Sequence, residues 1–108
     1  MANHTLNPSR GNLHGSLSRS IPPVLTISPG DTVDFTTLEA DWRIVRPDSP
    51  SSSSGIFMER SFPADQGHAL CGPVYIQGAR PQMTLAIRIN QIIPGTWGWS
   101  RVGGGDPD

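Results

Sequence analysis

A plan of strand, proline-containing turn and strand occurs twice in this sequence. In its first occurrence, residues 24–27 form a short apolar run, and residues 32–36 alternate polar and apolar side chains, as half-buried strands do. The segment Ser28-Pro29-Gly30-Asp31 lies between them, and Pro in the second turn position with Gly in the third predicts a type II turn. The two runs are therefore expected to form a hairpin or a corner.

The second occurrence lies nearer the C-terminus. Residues 73–77 resemble a strand, residues 78–82 a turn, and residues 83–90 alternate so that Leu85, Ile87 and Ile89 share one face. Gln82 stands where the first turn has Gly30, so a type I turn, which needs no positive φ, is predicted there. The likeness of the two blocks fits either a weak internal duplication or two similar corners of one barrel.

Helical periodicity is absent throughout the sequence, and 12 Gly and 11 Pro among 108 residues require many turns. The sequence therefore predicts an all-β fold, a small barrel or sandwich-like β domain with long irregular loops. We expect an extended N-terminal arm over residues 1–20 and a single β domain over residues 21–100. Within that domain we expect a flexible Ser/Pro loop at 47–55, and after it a Gly-rich tail at 101–108.

Composition excludes several classes of protein. The net charge is −1 without any run of one sign, which argues against nucleic-acid binding. All the basic residues are Arg, so this segment carries no chemistry that requires a catalytic lysine. Cys71 is the single cysteine, which excludes an intrachain disulfide. The polar N-terminus does not resemble a signal peptide, and no apolar run is long enough to span a membrane, so we expect a cytoplasmic protein.

Four motifs follow one another along the sequence: a histidine before a Pro-Pro-Val-Leu strand, a Pro-Gly-Asp-Thr corner, a His-x-Leu-x-Gly-Pro motif and a Trp-Gly-Trp segment. They are formed by His14 with residues 21–27, residues 29–33, residues 67–74, and residues 97–99. In this order the four motifs resemble the acetamidase/formamidase family of amide hydrolases. Two departures from the family pattern are Ser20, where relatives often carry an acidic residue, and Gln82, where they usually carry Gly.

The resemblance implies hydrolysis of a small aliphatic amide, of the formamide or acetamide type, to a carboxylate and ammonia. Family members are longer than this chain and tend to form homo-oligomers. The chain is therefore expected to be the N-terminal part of such an enzyme and to be inactive by itself. Its expected partners are the small amide substrate and either further copies of the chain or the missing C-terminal part of the same enzyme.

Amide hydrolysis needs an activated nucleophile, stabilisation of an oxyanion, and an acid for the leaving nitrogen. His68 is the strongest candidate because it lies in a loop before Gly72-Pro73, where an imidazole can bind a metal or act as a base. The alternative is a loop histidine bonded to backbone. His14, which takes part in the resemblance, is a second candidate metal ligand, against the alternative of an ordinary surface histidine. A divalent metal such as zinc is the expected cofactor.

Asp65 precedes His68 by three residues and is the second candidate catalytic residue, as a ligand or as a group that orients the imidazole. The competing interpretation is a solvated loop acid. Cys71 is interpreted as a packing residue rather than a nucleophile, and Asp31 as a cap of the Pro-Gly corner. No role is expected for His4.

Two other classes of function compete with the amidase. A cupredoxin-like copper site needs two His and a Cys, usually with a His a few residues after the Cys, and here no His follows Cys71. Copper binding is therefore not expected. A non-catalytic β-domain relative or binding module, which would keep the fold without the reaction, remains the main alternative.

Overall fold

The computed structural model describes residues 1–46, 48 and 55–98. Within them the chain is strand-rich, with one short 3-10 helix at Arg10–Asn12. The eight strands are β1 (Asn3–Leu6), β2 (Leu13–His14), β3 (Leu25–Ile27), β4 (Thr32–Phe35), β5 (Arg43–Val45), β6 (Ile56–Phe57), β7 (Leu70–Cys71) and β8 (Val74–Ile76). No helix among the described residues is long and apolar enough to cross a membrane.

The strands pair into four two-stranded sheets. β1 runs parallel to β4 with Asn3 opposite Thr32, and β3 runs parallel to β8 with Leu25 opposite Val74. β2 is antiparallel to β7, and β5 is antiparallel to β6 with an irregularity between Arg43 and Val45. The β-type character expected from the sequence is confirmed, in the form of small open sheets.

The first proline turn has the predicted geometry. Gly30 has φ of 89°, and the N–H of Asp31 donates to the carbonyl of Ser28 at 3.0 Å. Positive φ at the third position is what a type II turn requires. The strands on either side pair with β8 and β1 rather than with each other, so the turn forms a corner and not a hairpin.

The second turn corrects the sequence prediction. Gln82 has φ of 73°, so the predicted type I geometry is wrong. Like Gly30 in the first turn, Gln82 has a positive φ at the third turn position, although it is not a glycine. Here the N–H of Met83 donates to the carbonyl of Arg80 at 3.2 Å. The predicted strand over residues 83–90 is also not formed, because this segment has no partner strand in the described chain.

Residues 1–20, expected to be an extended arm, supply β1, the 3-10 helix and β2. Two of the three buried apolar residues of the described chain, Leu6 and Leu13, come from this segment, and Trp42 is the third. The core is therefore assembled from residues distant in sequence. The predicted loop at 47–55, apart from residues 48 and 55, and the predicted tail at 101–108 lie outside the described residues.

Arg43 and Asp65 are buried with this core. Nη1 of Arg43 lies 3.6 Å from a carboxylate oxygen of Glu39 and 3.5 Å from one of Asp41. The central guanidinium carbon of Arg43 lies 4.9 Å from the centre of the Phe57 ring. A buried cation needs such partners, since burial of an unpaired charge is costly. The β5–β6 pair is thus held by ion pairs and by the cation–π contact of Arg43 with Phe57, in addition to its backbone pairing.

Candidate site at His14 and His68

The two candidate histidines lie on adjoining backbone segments. His14 ends β2 opposite Leu70 of β7. One residue further on, the carbonyl of Gly15 accepts a hydrogen bond from the N–H of Gly67 at 2.8 Å. His14 and His68 are the immediate chain neighbours of this bonded pair. His14 is half-buried and His68 is exposed.

Both glycines are required by how closely the segments approach. A Cβ atom on Gly15 would lie 2.5 Å from the Cα of Asp65, and one on Gly67 would lie 2.4 Å from the carbonyl oxygen of Gly15. Real Cβ atoms are not found at such distances from backbone, so any side chain here would force the segments apart. Because Gly15 and Gly67 have no side chains, the two segments that carry His14 and His68 can approach this closely.

Asp65 helps to hold the Gly15–Gly67 contact, which we call the glycine crossing, in place. One carboxylate oxygen accepts the N–H of Gly15 at 2.9 Å, and the other accepts the N–H of Ser61 at 2.8 Å and a guanidinium N–H of Arg10. Asp65 is 3% exposed, so the interpretation as a solvated loop acid is wrong. These carboxylate contacts include neither His14 nor His68.

Electrostatics favour the ionised form of Asp65. Burial alone disfavours the charge, but the hydrogen bonds from Ser61 and Gly15 and the charge of Arg10 outweigh it and hold the pKa of the Asp65 carboxyl below its ordinary value. The carboxylate is therefore charged at neutral pH. It is suited to holding backbone in place, since a general acid would need a raised pKa.

Two arginines and a tryptophan complete the support. Arg60 donates from Nε and Nη2 to the backbone carbonyl of Asp65 at 2.9 and 2.7 Å. The guanidinium carbons of Arg60 and Arg10 lie 5.3 and 5.8 Å from the centre of the Trp42 ring. Trp42 in turn donates its indole N–H to the carbonyl of Gly67 at 2.8 Å. Gly67 is therefore held through both its N–H and its carbonyl.

Sequence reasoning missed Arg10, Arg60 and the part played by Trp42 in this support. Arg10 and Trp42 lie far from His68 in sequence, and their contacts depend on non-local packing. Arg60 is only five residues from Asp65, but nothing in the sequence marks it as the donor to that carbonyl. One signal was available: a glycine follows His14 and a glycine precedes His68. Paired glycines beside candidate site residues indicate close backbone approach.

Cys71 is half-buried in β7, and burial raises the pKa of its thiol. A nucleophilic cysteine needs the opposite shift. The interpretation of Cys71 as a packing residue is consistent with this environment.

Asp31 caps the first corner, as expected. Its carboxylate accepts the N–H of Ala2 at 2.9 Å and the N–H of Ser28 at 3.0 Å, and lies 2.9 Å from Nε2 of His4. The N–H donors of Ala2 and Ser28, followed by His4, hold the pKa of Asp31 well below its usual range. His4, which was expected to have no role, helps to attach β1 to this corner.

The described residues contain no group of three or more His, Cys, Asp or Glu side chains arranged to hold a metal ion. Within this part of the chain, no third side chain of these types therefore joins His14 and His68 in a metal-binding group. Comparison with protein-family models, with curated proteins and with solved structures finds no match.

Proposed function

We propose that this chain is part of a cytoplasmic amidase that hydrolyses a small aliphatic amide, of the formamide or acetamide type, to a carboxylate and ammonia. The observation that carries the proposal is the hydrogen bond between Gly15 and Gly67, which makes neighbours of His14 and His68. Both histidines belong to the stretches that resemble the acetamidase/formamidase family. Two residues singled out separately in the sequence are thus carried by backbone segments that are bonded to each other.

His68 is the proposed base. Its side chain is exposed to solvent, while the preceding residue is fixed by hydrogen bonds to Gly15 and Trp42. A neutral imidazole there would accept a proton from water as the water oxygen forms a bond to the amide carbon. It would return that proton to the nitrogen as the carbon–nitrogen bond breaks, which releases ammonia and the carboxylic acid. The acid then ionises to the carboxylate.

Asp65 contributes as a positioning residue in this proposal. Its two carboxylate oxygens are engaged by Gly15, Ser61 and Arg10. Its effect on the reaction would pass through the backbone that carries His14 rather than through direct contact with the amide.

A divalent metal such as zinc would find two imidazole ligands in His14 and His68. Catalytic zinc sites in proteins use three protein ligands and leave one position open, so these two residues do not complete such a site. In the steps proposed above, the imidazole of His68 activates the water itself. A bound ion would add polarisation of the amide carbonyl.

The small open sheets suggest that the β domain needs further strands from outside the described residues. Among the residues that the structure describes, each two-stranded sheet has unpaired edges, and isolated two-stranded sheets are marginally stable in water. We propose that the barrel or sandwich-like domain is completed in a homo-oligomer or by the C-terminal part of the same enzyme.

Ammonia release from formamide and acetamide by the native protein that carries this sequence tests the proposal. We expect release by the unaltered protein and loss of at least a hundredfold in kcat for His68→Gln, the lower range for a missing general base. His4→Gln is the matched control, since His4 lies at the Asp31 corner. Full activity in His68→Gln would remove His68 from the mechanism. No activity in the unaltered, folded protein would favour the non-catalytic relative.

A further inference from the structure

Residues 39–43, which we call the Trp42 turn, contain a backbone conformation that their residue types do not favour. Trp42 has φ of 70°, in the left-handed region, where a bulky side chain is a genuine outlier. Trp42 is also completely buried, as one of the three buried apolar residues of the described chain. A conformation of this kind persists only where the surrounding structure holds it, and such residues cluster at functional sites. The turn is therefore maintained by its contacts and not by local preference.

The carboxylate of Glu39 holds the turn on both sides of Trp42. One oxygen accepts the N–H of Asp41 at 3.0 Å, and the other accepts the N–H of Arg43 at 2.6 Å. The N–H of Trp42 donates to the carbonyl of Glu39 at 3.2 Å, and the carbonyl of Trp42 accepts the N–H of Met58 at 2.8 Å. Both backbone polar groups of Trp42 are thus bonded, so these partners fix its left-handed conformation.

The Trp42 turn is bonded to both chain neighbours of His68. On one side, the indole N–H of Trp42 donates to the carbonyl of Gly67 at 2.8 Å. On the other side, the N–H of Ala69 donates to the carbonyl of Ala40 at 3.1 Å. His68 is therefore bracketed by two hydrogen bonds to the same turn, in addition to the glycine crossing.

Two guanidinium groups limit the movement of the indole. The central guanidinium carbons of Arg60 and Arg10 lie 5.3 and 5.8 Å from the centre of the Trp42 ring, within the range of about 6 Å over which a cation is attracted to a ring. Arg60 also donates to the carbonyl of Asp65, in the segment that leads to Gly67. These contacts hold the ring in the orientation in which its N–H reaches the carbonyl of Gly67.

His68 itself is exposed, yet the backbone on both sides of it is bonded to a turn built around the buried Trp42. We propose that Trp42 is a positioning residue for the imidazole of His68, and that Glu39 supports it by fixing the turn. The inference rests on the proposed function, in which this imidazole is the base. A base must stay within hydrogen-bond reach of the proton that it takes, so a loosely held His68 would lose rate.

Backbone ¹⁵N relaxation of the native protein that carries this sequence tests the positioning without any measurement of activity. In the unaltered protein we expect an order parameter of about 0.85 for the His68 amide, as for rigid backbone. Trp42→Phe keeps a ring between the arginines and removes the N–H, so the order parameter of His68 should fall towards about 0.6, the limit for flexible backbone. Trp97→Phe, the same substitution outside the turn, should leave it unchanged.

Two results would overturn the proposal: a His68 order parameter below about 0.6 in the unaltered protein, or an unchanged one in Trp42→Phe. Replacement of Trp42 by benzothienylalanine, which carries sulfur in place of the indole N–H and has nearly the same shape, repeats the test with the least change in packing. It decides the question if Trp42→Phe does not fold, with the same expected and contrary results.

Ammonia release from formamide separates this inference from the proposed function. If the unaltered protein releases ammonia, the loss of the indole N–H should lower kcat roughly tenfold to a hundredfold, as misplacement of a catalytic group does. KM for formamide should stay nearly unchanged, because Trp42 is completely buried and does not touch the amide. An unchanged kcat, or a loss confined to KM, overturns the positioning role. If the unaltered protein releases no ammonia, the amidase proposal fails, and the relaxation measurement still decides whether the Trp42 turn holds His68.

Discussion

The N–H of Gly67 donates to the carbonyl oxygen of Gly15 across 2.8 Å, a contact that leaves no room for a side chain on either residue. It joins the strand that ends at His14 to the loop that contains His68. Because both candidate residues depend on it, this contact is the feature of the fold on which the proposed function rests.

Gly15→Ala should destabilise the protein. The new Cβ would lie 2.5 Å from the Cα of Asp65, a backbone atom that cannot move aside cheaply. Forced overpacking of this kind costs about 1–3 kcal/mol, measurable as a lower urea midpoint with unchanged slope. Gly11→Ala is the matched control, since nothing lies within 4 Å of its Cβ position. Equal stability of the two variants would contradict the account of the crossing.

Asp65→Asn should also destabilise the fold, by about 1.5–3 kcal/mol, the usual range for hydrogen bonds to a charged group. Asn has one oxygen where Asp65 uses both, so either Gly15 or Ser61 would lose its acceptor. Asp34→Asn, at an exposed position in β4, is the control and should change stability little.

The same carboxylate predicts a pH dependence. Its folded pKa is lowered, so its contribution is fully present above the unfolded value of about 4 and is lost as pH falls through the folded pKa. The unfolding free energy of the unaltered protein should therefore fall more steeply below pH 4 than that of Asp65→Asn. Parallel curves for the two proteins in acid would contradict the lowered pKa.

Cys71 should react slowly with thiol reagents. Burial raises its pKa, so less thiolate is present at neutral pH than in the unfolded chain. We expect iodoacetamide to alkylate the native protein several-fold more slowly at pH 7 than the same protein in urea, with the difference narrowing as pH rises. Faster reaction in the native state would restore Cys71 as a candidate nucleophile.

Gln82→Gly should stabilise the second corner. Gln82 has φ of 73°, a conformation that costs a residue with a side chain roughly 1–2 kcal/mol and costs glycine little. The greater flexibility of glycine in the unfolded chain offsets part of this, which leaves an expected gain of up to about 1 kcal/mol. Gln66→Gly, at a position without positive φ, should be neutral or destabilising. A loss of stability in Gln82→Gly would show that the side chain matters more than the turn.

Local chemistry was the predictable part of the fold. The Pro29-Gly30 corner followed from two residues that restrict or permit particular φ values. The strand before it was recognised from a short apolar run, and the strand after it from side-chain alternation. Strand partners were not predictable, because β3 pairs with β8 and β4 with β1 across long stretches of chain. The run at 83–90 has the alternation of a strand, but alternation does not specify a partner.

In the candidate site, too, the residues could be predicted from local sequence, whereas their arrangement could not. His68 and His14 were recognised by residue type, motif and loop position, and their proximity depends on a glycine crossing that sequence only hinted at. The burial of Asp65 was not foreseen, since an acid in a polar loop is usually solvated. It is buried because Arg10, from a distant segment, and two backbone N–H groups offset the cost of desolvation.

Ammonia release from formamide by the native protein that carries this sequence tests the central claim most directly. We expect release that falls at least a hundredfold in His68→Gln and persists in His4→Gln. Absence of release from the folded, unaltered protein, with and without added zinc, would contradict it.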